Sequence, residues 1–136
     1  MKYTTLSIRQ PWAELIVAGL KTIENRSWQV HYRGTIAVHA SSTNTKREYQ
    51  SALQLIRSRG MDIQLPPLEQ LLVGGIVGLV DIVDCVESST DPWWIPGNYA
   101  IVLSNARRGI FQPVKGQQGF FTVNYHYFGS CNRMQC

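Results

Sequence analysis

Hydrophobic and polar positions divide this chain into short segments of changing period. Tyr3 to Ile8 (YTTLSI) has β-favouring composition and predicts a first short strand, which ends at Arg9, Gln10 and Pro11. Pro11 suits the first turn of a helix. Trp12, Ala13, Leu15, Ile16 and Val17 then form an apolar run that Gly19 can close in a left-handed conformation. A short, largely buried helix is expected there. In the following TIENRSW an extended chain places Thr22, Glu24, Arg26 and Trp28 on one face and Ile23 on the other.

After a turn at His31 to Gly34, Ile36 and Val38 alternate with Ala37 and His39 as in a strand. Tyr49, Ala52, Leu53 and Ile56 fall at helical spacing behind the cap-rich SSTNT, and Gly60 supplies a stop. Lys46 and Arg47 give this amphipathic helix a basic start. A proline-interrupted connection with one helical turn after Pro67 leads to GGIVGLVDIVDCVE, a long β-branched strand whose Gly78 predicts a bend or bulge. Tyr99 to Asn105 reads as another strand, ARRGIFQPVKGQQG as a long loop, and Phe120 to Phe128 as a last strand. With about five or six strands, two helices and no repeated βα alternation, the pattern predicts an α+β domain, and the bend favours a small barrel. Residues 1–128 are expected to form one domain. The tail, 129–136, has little to pack and is expected to be partly disordered.

The chain has 136 residues, enough to bury one core without staples. Lys and Arg total 13 against 9 Asp and Glu, for a formal charge of +4, which favours anionic partners. The cysteines, Cys85, Cys131 and Cys136, are odd in number and lack metal-ligand spacing, which predicts a reducing, cytoplasmic setting. No stretch approaches membrane-spanning length, so no membrane partner is expected. Nucleophile-elbow, phosphate-loop and dinucleotide motifs are missing, and His31, His39 and His126 are scattered; neither a metal nor a cofactor is expected. His39, on the polar side of its strand, can face a cavity.

Lys21, Glu24 and Arg26 allow two readings. If their strand lines a pocket, Lys21 can meet a phosphate or act as a base, Glu24 can exchange a proton, and Arg26 can clamp an anion. Otherwise they are a solvated ion pair closing a turn. Trp12 and Trp28 offer stacking platforms or core residues, with the core favoured for Trp12. In PWWIP the adjacent Trp93 and Trp94 cannot both be buried on one regular face, so one is expected to be exposed as a lid or partner contact. Arg107, Arg108 and Lys115 add positive charge to the late loop, either solvated or in contact with phosphate.

Together LSIRQPWAELIVAGLKTIENRSW, YRGTIAVHAS, GGIVGLVDIVDCV and PVKGQQGFFTV resemble the ASCH domain, in order and over nearly the whole chain. The most specific parts are RQPWA, the G-x-K-x-x-E-x-R core at Gly19, Lys21, Glu24 and Arg26, and the late Lys115-Gly116. The resemblance implies a PUA-like fold, a small, mostly antiparallel β-barrel with flanking helices, and a cleft where the first helix meets the strand of Glu24 and Arg26. It implies a nucleic-acid or nucleotide ligand, RNA favoured and DNA possible, with Arg9, Gln10 and Lys115 at the rim. Some small members are hydrolases of a modified nucleoside or of RNA. In the amidohydrolase members a catalytic threonine stands where this chain has Glu24, so that nucleophile is missing. The reading is thus a binding module with ligand contacts at Arg9, Gln10, Lys21, Glu24, Arg26, His39 and Lys115. The alternative is a hydrolase using Lys21 and Glu24, and a third is an adaptor that binds a protein through Trp93 and Trp94 and the basic helix start.

Overall fold

The alternation in the first strand, β1 (Lys2–Arg9), buries Leu6 and Ile8 on one face and turns Ser7 and Arg9 to the other. The structure is a computed structural model that describes residues 1–128, so the expected tail 129–136 lies outside the described residues. After β1 come α1 (Trp12–Val17), β2 (Ile23–Arg26), β3 (Gly34–Ser41), α2 (Thr45–Ser58), a 3-10 turn (Leu68–Gln70), β4 (Gly75–Val86), β5 (Tyr99–Pro113) and β6 (Phe120–Asn124).

The strands form one six-stranded sheet in the order β2-β5-β4-β3-β1-β6. β1 runs parallel to β3, and the other neighbours are antiparallel. Leu6, Ile16, Val38, Val80 and Ile101 belong to the main core, into which α1 packs. A second cluster joins Ala52 and Ile56 of α2 to Leu15, Ile23 and Trp93. A third, around Ala37, Ile76, Phe121 and Tyr125, uses the opposite face of β3, as the alternation of that strand requires.

Two expectations are corrected. The α+β class and the flanking helices are present, but the sheet is open and does not close into a barrel, because its edge strands β2 and β6 do not pair. The expected bend does exist: the registers on both sides of β4 shift around Val77 and Gly78, and a Cβ at Gly78 would collide with the Arg107 carbonyl. A bulge bends a strand without requiring closure. Here β2 has only four residues, and β6 covers β1 only from Lys2 to Leu6. Side chains cross the remaining gap, with Arg26 Nη2 donating to the Ser7 carbonyl (3.1 Å) and Trp28 set edge-on to Phe120 at 6.0 Å. The second correction is that ARRGIFQP is not loop, since β5 continues to Pro113 alongside β4. Its polar residues face away from the core on one side, which made the pairing invisible to a hydrophobic pattern.

Candidate functional site

The end of α1 builds the site. Gly19 adopts a φ of +78°, and the Leu15 carbonyl accepts both the Leu20 and the Lys21 N–H at 2.9 and 3.0 Å. This left-handed turn sends the Lys21 side chain inward, where the residue is 3% exposed. Its ammonium donates to the Ile23 carbonyl and, at 3.0 Å, to Glu24 Oε1. It also lies 5.6 Å from the centroid of the Trp12 ring.

Glu24 is itself buried, and its other oxygen accepts from Arg26 Nε (3.1 Å) and lies in ion-pair contact 3.0 Å from Nη2. Burial alone would raise the Glu24 carboxyl. The charges of Lys21 and Arg26 and the hydrogen bonds from both overcome it and hold the carboxyl below its ordinary value. The two sequence-based readings of this stretch therefore merge: Lys21, Glu24 and Arg26 are an ion cluster, but a buried one. Arg26 is fastened through Nε and Nη2, which leaves Nη1 without a partner among the described residues.

Above this cluster opens a cleft of about 1420 Å³. Arg9, Lys21, Glu24, Arg26, His39 and Lys115 all line it. Arg9 is exposed and only 3.9 Å from Glu48, a loose pair, and Lys115 is exposed as well. Trp28 contributes a ring that is 39% exposed, whereas Trp12 is half-buried and donates its indole N–H to Glu48 Oε1 at 2.8 Å. His39 sits at the bottom, hydrogen-bonded by its two nitrogens to Ser7 and to Val114.

Other candidates go elsewhere. Gln10 is 1% exposed; its Oε1 accepts the Glu14 N–H in the first turn of α1 (2.9 Å) and its Nε2 donates to the Leu72 carbonyl (2.8 Å), so it caps a helix and does not line the cleft. Arg108 makes a two-pronged pair with Glu14 (2.6 and 2.8 Å), and Arg107 pairs with Asp81 at 3.0 Å. In PWWIP, Trp93 is buried and donates to the Leu20 carbonyl, while Trp94 is half-buried and donates to that of Asn98. A partner protein would meet Trp94 but not Trp93.

Sequence reasoning missed Ser7, Gln117 and Gln118 on the cleft wall. Alternation in β1 does place Ser7 on the face of Arg9, but its partner His39 is set by the parallel β1–β3 register, which nothing in the sequence announces.

The sequence profile of the ASCH domain matches residues 6–99, more than half of the chain and the whole of the Lys21–Glu24–Arg26 stretch. The chain belongs to the ASCH domain family. Activating signal cointegrator 1 from Homo sapiens is 36% identical over 83 residues, which are 60% of this chain and 14% of that protein. The counterpart from Mus musculus is 36% identical over 121 residues, 82% of this chain and 20% of that protein. The chain thus spans a fifth or less of the length of these relatives. Within the ASCH match lie the second half of β1, then α1, β2, β3, α2 and β4, with the complete ion cluster; Lys115 and Gly116 lie outside it.

Among the described residues no group of His, Cys, Asp and Glu side chains could hold a metal ion, and no helix is long and apolar enough to cross a membrane.

Proposed function

We propose that this ASCH domain binds single-stranded nucleic acid in the cleft above the ion cluster, with RNA favoured over DNA. The carrying observation is that one concavity combines an exposed ring, Trp28, with the loosely held Arg9 and with Lys115 and the Nη1 of Arg26, which have no partner among the described residues. Phosphates recruit such cations, and an unpaired base can stack on an exposed indole. Lys21 and Glu24 then act beneath the ligand, holding Arg26 in place, and do not touch it themselves. Family membership is consistent with this reading.

A hydrolase using Lys21 and Glu24 has no support in this arrangement. The Lys21 ammonium is engaged by Ile23 and Glu24, and a carboxyl held below its ordinary value between two cations is a poor proton donor.

The test is anisotropy of a short labelled RNA and the matching DNA over a range of salt. Lys115→Ala and Arg9→Ala are each expected to weaken binding and to lower the slope of log affinity against log salt by about 0.7, the share of one single-strand phosphate. Trp28→Ala is expected to weaken it by about 1–3 kcal/mol with little change in slope, as loss of stacking does. Slopes that none of these variants alters would remove the cleft from the binding surface.

A further inference from the structure

The strap between β5 and β6, residues 114–119, lines one side of the cleft; Val114 at its start packs against the third cluster and, among the described residues, makes its hydrogen bonds to the rest of the domain. Val114 donates its N–H to the Gly74 carbonyl at 3.1 Å. Its own carbonyl oxygen lies 2.7 Å from His39 Nε2. A carbonyl only accepts, so Nε2 carries the proton, and in the neutral ring Nδ1 is left as an acceptor. The Ser7 hydroxyl, 2.9 Å away, donates to it.

Both residues are set by the sheet. Ser7 and His39 are direct partners in the parallel β1–β3 register, and the register of β3 against β4 shifts between Val38 and His39. Gly116 completes the arrangement. A Cβ there would stand 2.7 Å from His39 Cε1 and 3.1 Å from Ser7 Oγ, so the strap backbone rests directly on the pair. Lys115, Gln117 and Gln118 are exposed on the cleft wall.

A serine hydroxyl beside a histidine that a carbonyl orients has the make-up of a nucleophile and its base. Here the strap covers the pair, and His39 is 2% exposed. Its hydrogen bonds hold a loop.

We propose that His39, seated by Ser7, is the positioning residue that fixes the strap so that Lys115 meets a phosphate of the bound strand and Gln117 and Gln118 face its bases. The inference rests on the nucleic-acid reading above. A lysine on a free loop loses backbone as well as side-chain freedom on binding, whereas one on a fastened loop has already lost most of the former. His39 therefore acts on affinity through Lys115.

The experiment has two arms. The first is amide hydrogen exchange of the protein without ligand, in which His39→Ala is expected to speed exchange in the strap while β1 and β3 keep their protection. The second compares RNA affinity and salt slope for His39→Ala, Lys115→Ala and the double variant. Each single change is expected to weaken binding by about three- to tenfold and to lower the slope by about 0.7, with the double variant no weaker than the weaker single. His39→Gln, whose amide can still donate to Val114, is expected to recover part of the loss; Gly116→Ala, which pushes on the ring, is expected to reproduce it.

Losses that multiply in the double variant, or an unchanged salt slope in a folded His39→Ala protein, would overturn the inference. If His39→Ala does not fold, Gly116→Ala in combination with Lys115→Ala makes the same comparison. Faster strap exchange in a protein whose wild type binds no RNA would sink the nucleic-acid reading and leave the anchor standing as a structural one only. Unchanged exchange would sink the anchor itself.

Discussion

Glu24→Gln is expected to lower the unfolding free energy by about 3–5 kcal/mol, because it leaves two cations at the foot of the cleft without their counter-charge. Lys21 is 3% exposed and Glu24 8%, so water cannot take over the role of the carboxylate. Urea unfolding measures the loss. Lys21→Met is the informative companion, since it removes a buried cation and leaves Glu24 paired with Arg26 at 3.0 Å. It is expected to cost less than Glu24→Gln. Near-equal stability of Glu24→Gln and wild type would mean that the cluster is hydrated and not buried.

The same carboxyl gives a pH signature. Its folded value lies below the ordinary 4.5, so the folded state holds that proton less tightly than the unfolded state does. The contribution to stability is complete above the ordinary value and is lost as pH falls through the lowered folded one. The urea midpoint of the wild type should therefore fall on acidification below about pH 4.5, and the profile of Glu24→Gln should be flatter there.

Trp93→Ala is expected to cost about 3–5 kcal/mol, the range for emptying a buried indole site. Trp93 is 3% exposed, stands edge-on to Trp12 at 6.1 Å between ring centroids, and packs in the cluster of Ile23, Ala52 and Ile56. Its indole N–H also holds the Leu20 carbonyl at 3.0 Å, next to Lys21. The void would thus open beneath the turn that aims Lys21. A fall of about 10 °C or more in melting temperature is expected, together with weaker RNA binding. Trp94→Ala, at a half-buried position, should leave RNA binding nearly intact. The reverse ranking, Trp94→Ala damaging and Trp93→Ala mild, would contradict this account of the loop.

How much of this was legible in advance depended on how local each cause was. The first helix and its left-handed stop at Gly19 follow from neighbours in the chain, and so does the placing of Glu24 and Arg26 on one side of an extended segment. The bend at Gly78 was equally local. The long β5 was not, because its second half is held by ladder hydrogen bonds to β4 and carries residues that a pattern assigns to a loop. Gln10 shows the same limit, since its chemistry suits a ligand and only its contacts with Glu14 and Leu72 turn it into a cap.

The sequence by itself determined the family, the α+β class, the two helices and the presence of a Lys21–Glu24–Arg26 group, all of which arise from residue order over short spans. Only the tertiary structure decided that the sheet stays open, that this group is buried with both cations paired to the one carboxylate, that Arg107 and Arg108 are already paired, and that His39 faces Ser7 beneath the strap. Those outcomes depend on which strands meet and in what register. That choice is made by burial and hydrogen bonding summed over residues far apart in the chain, and no short stretch carries it.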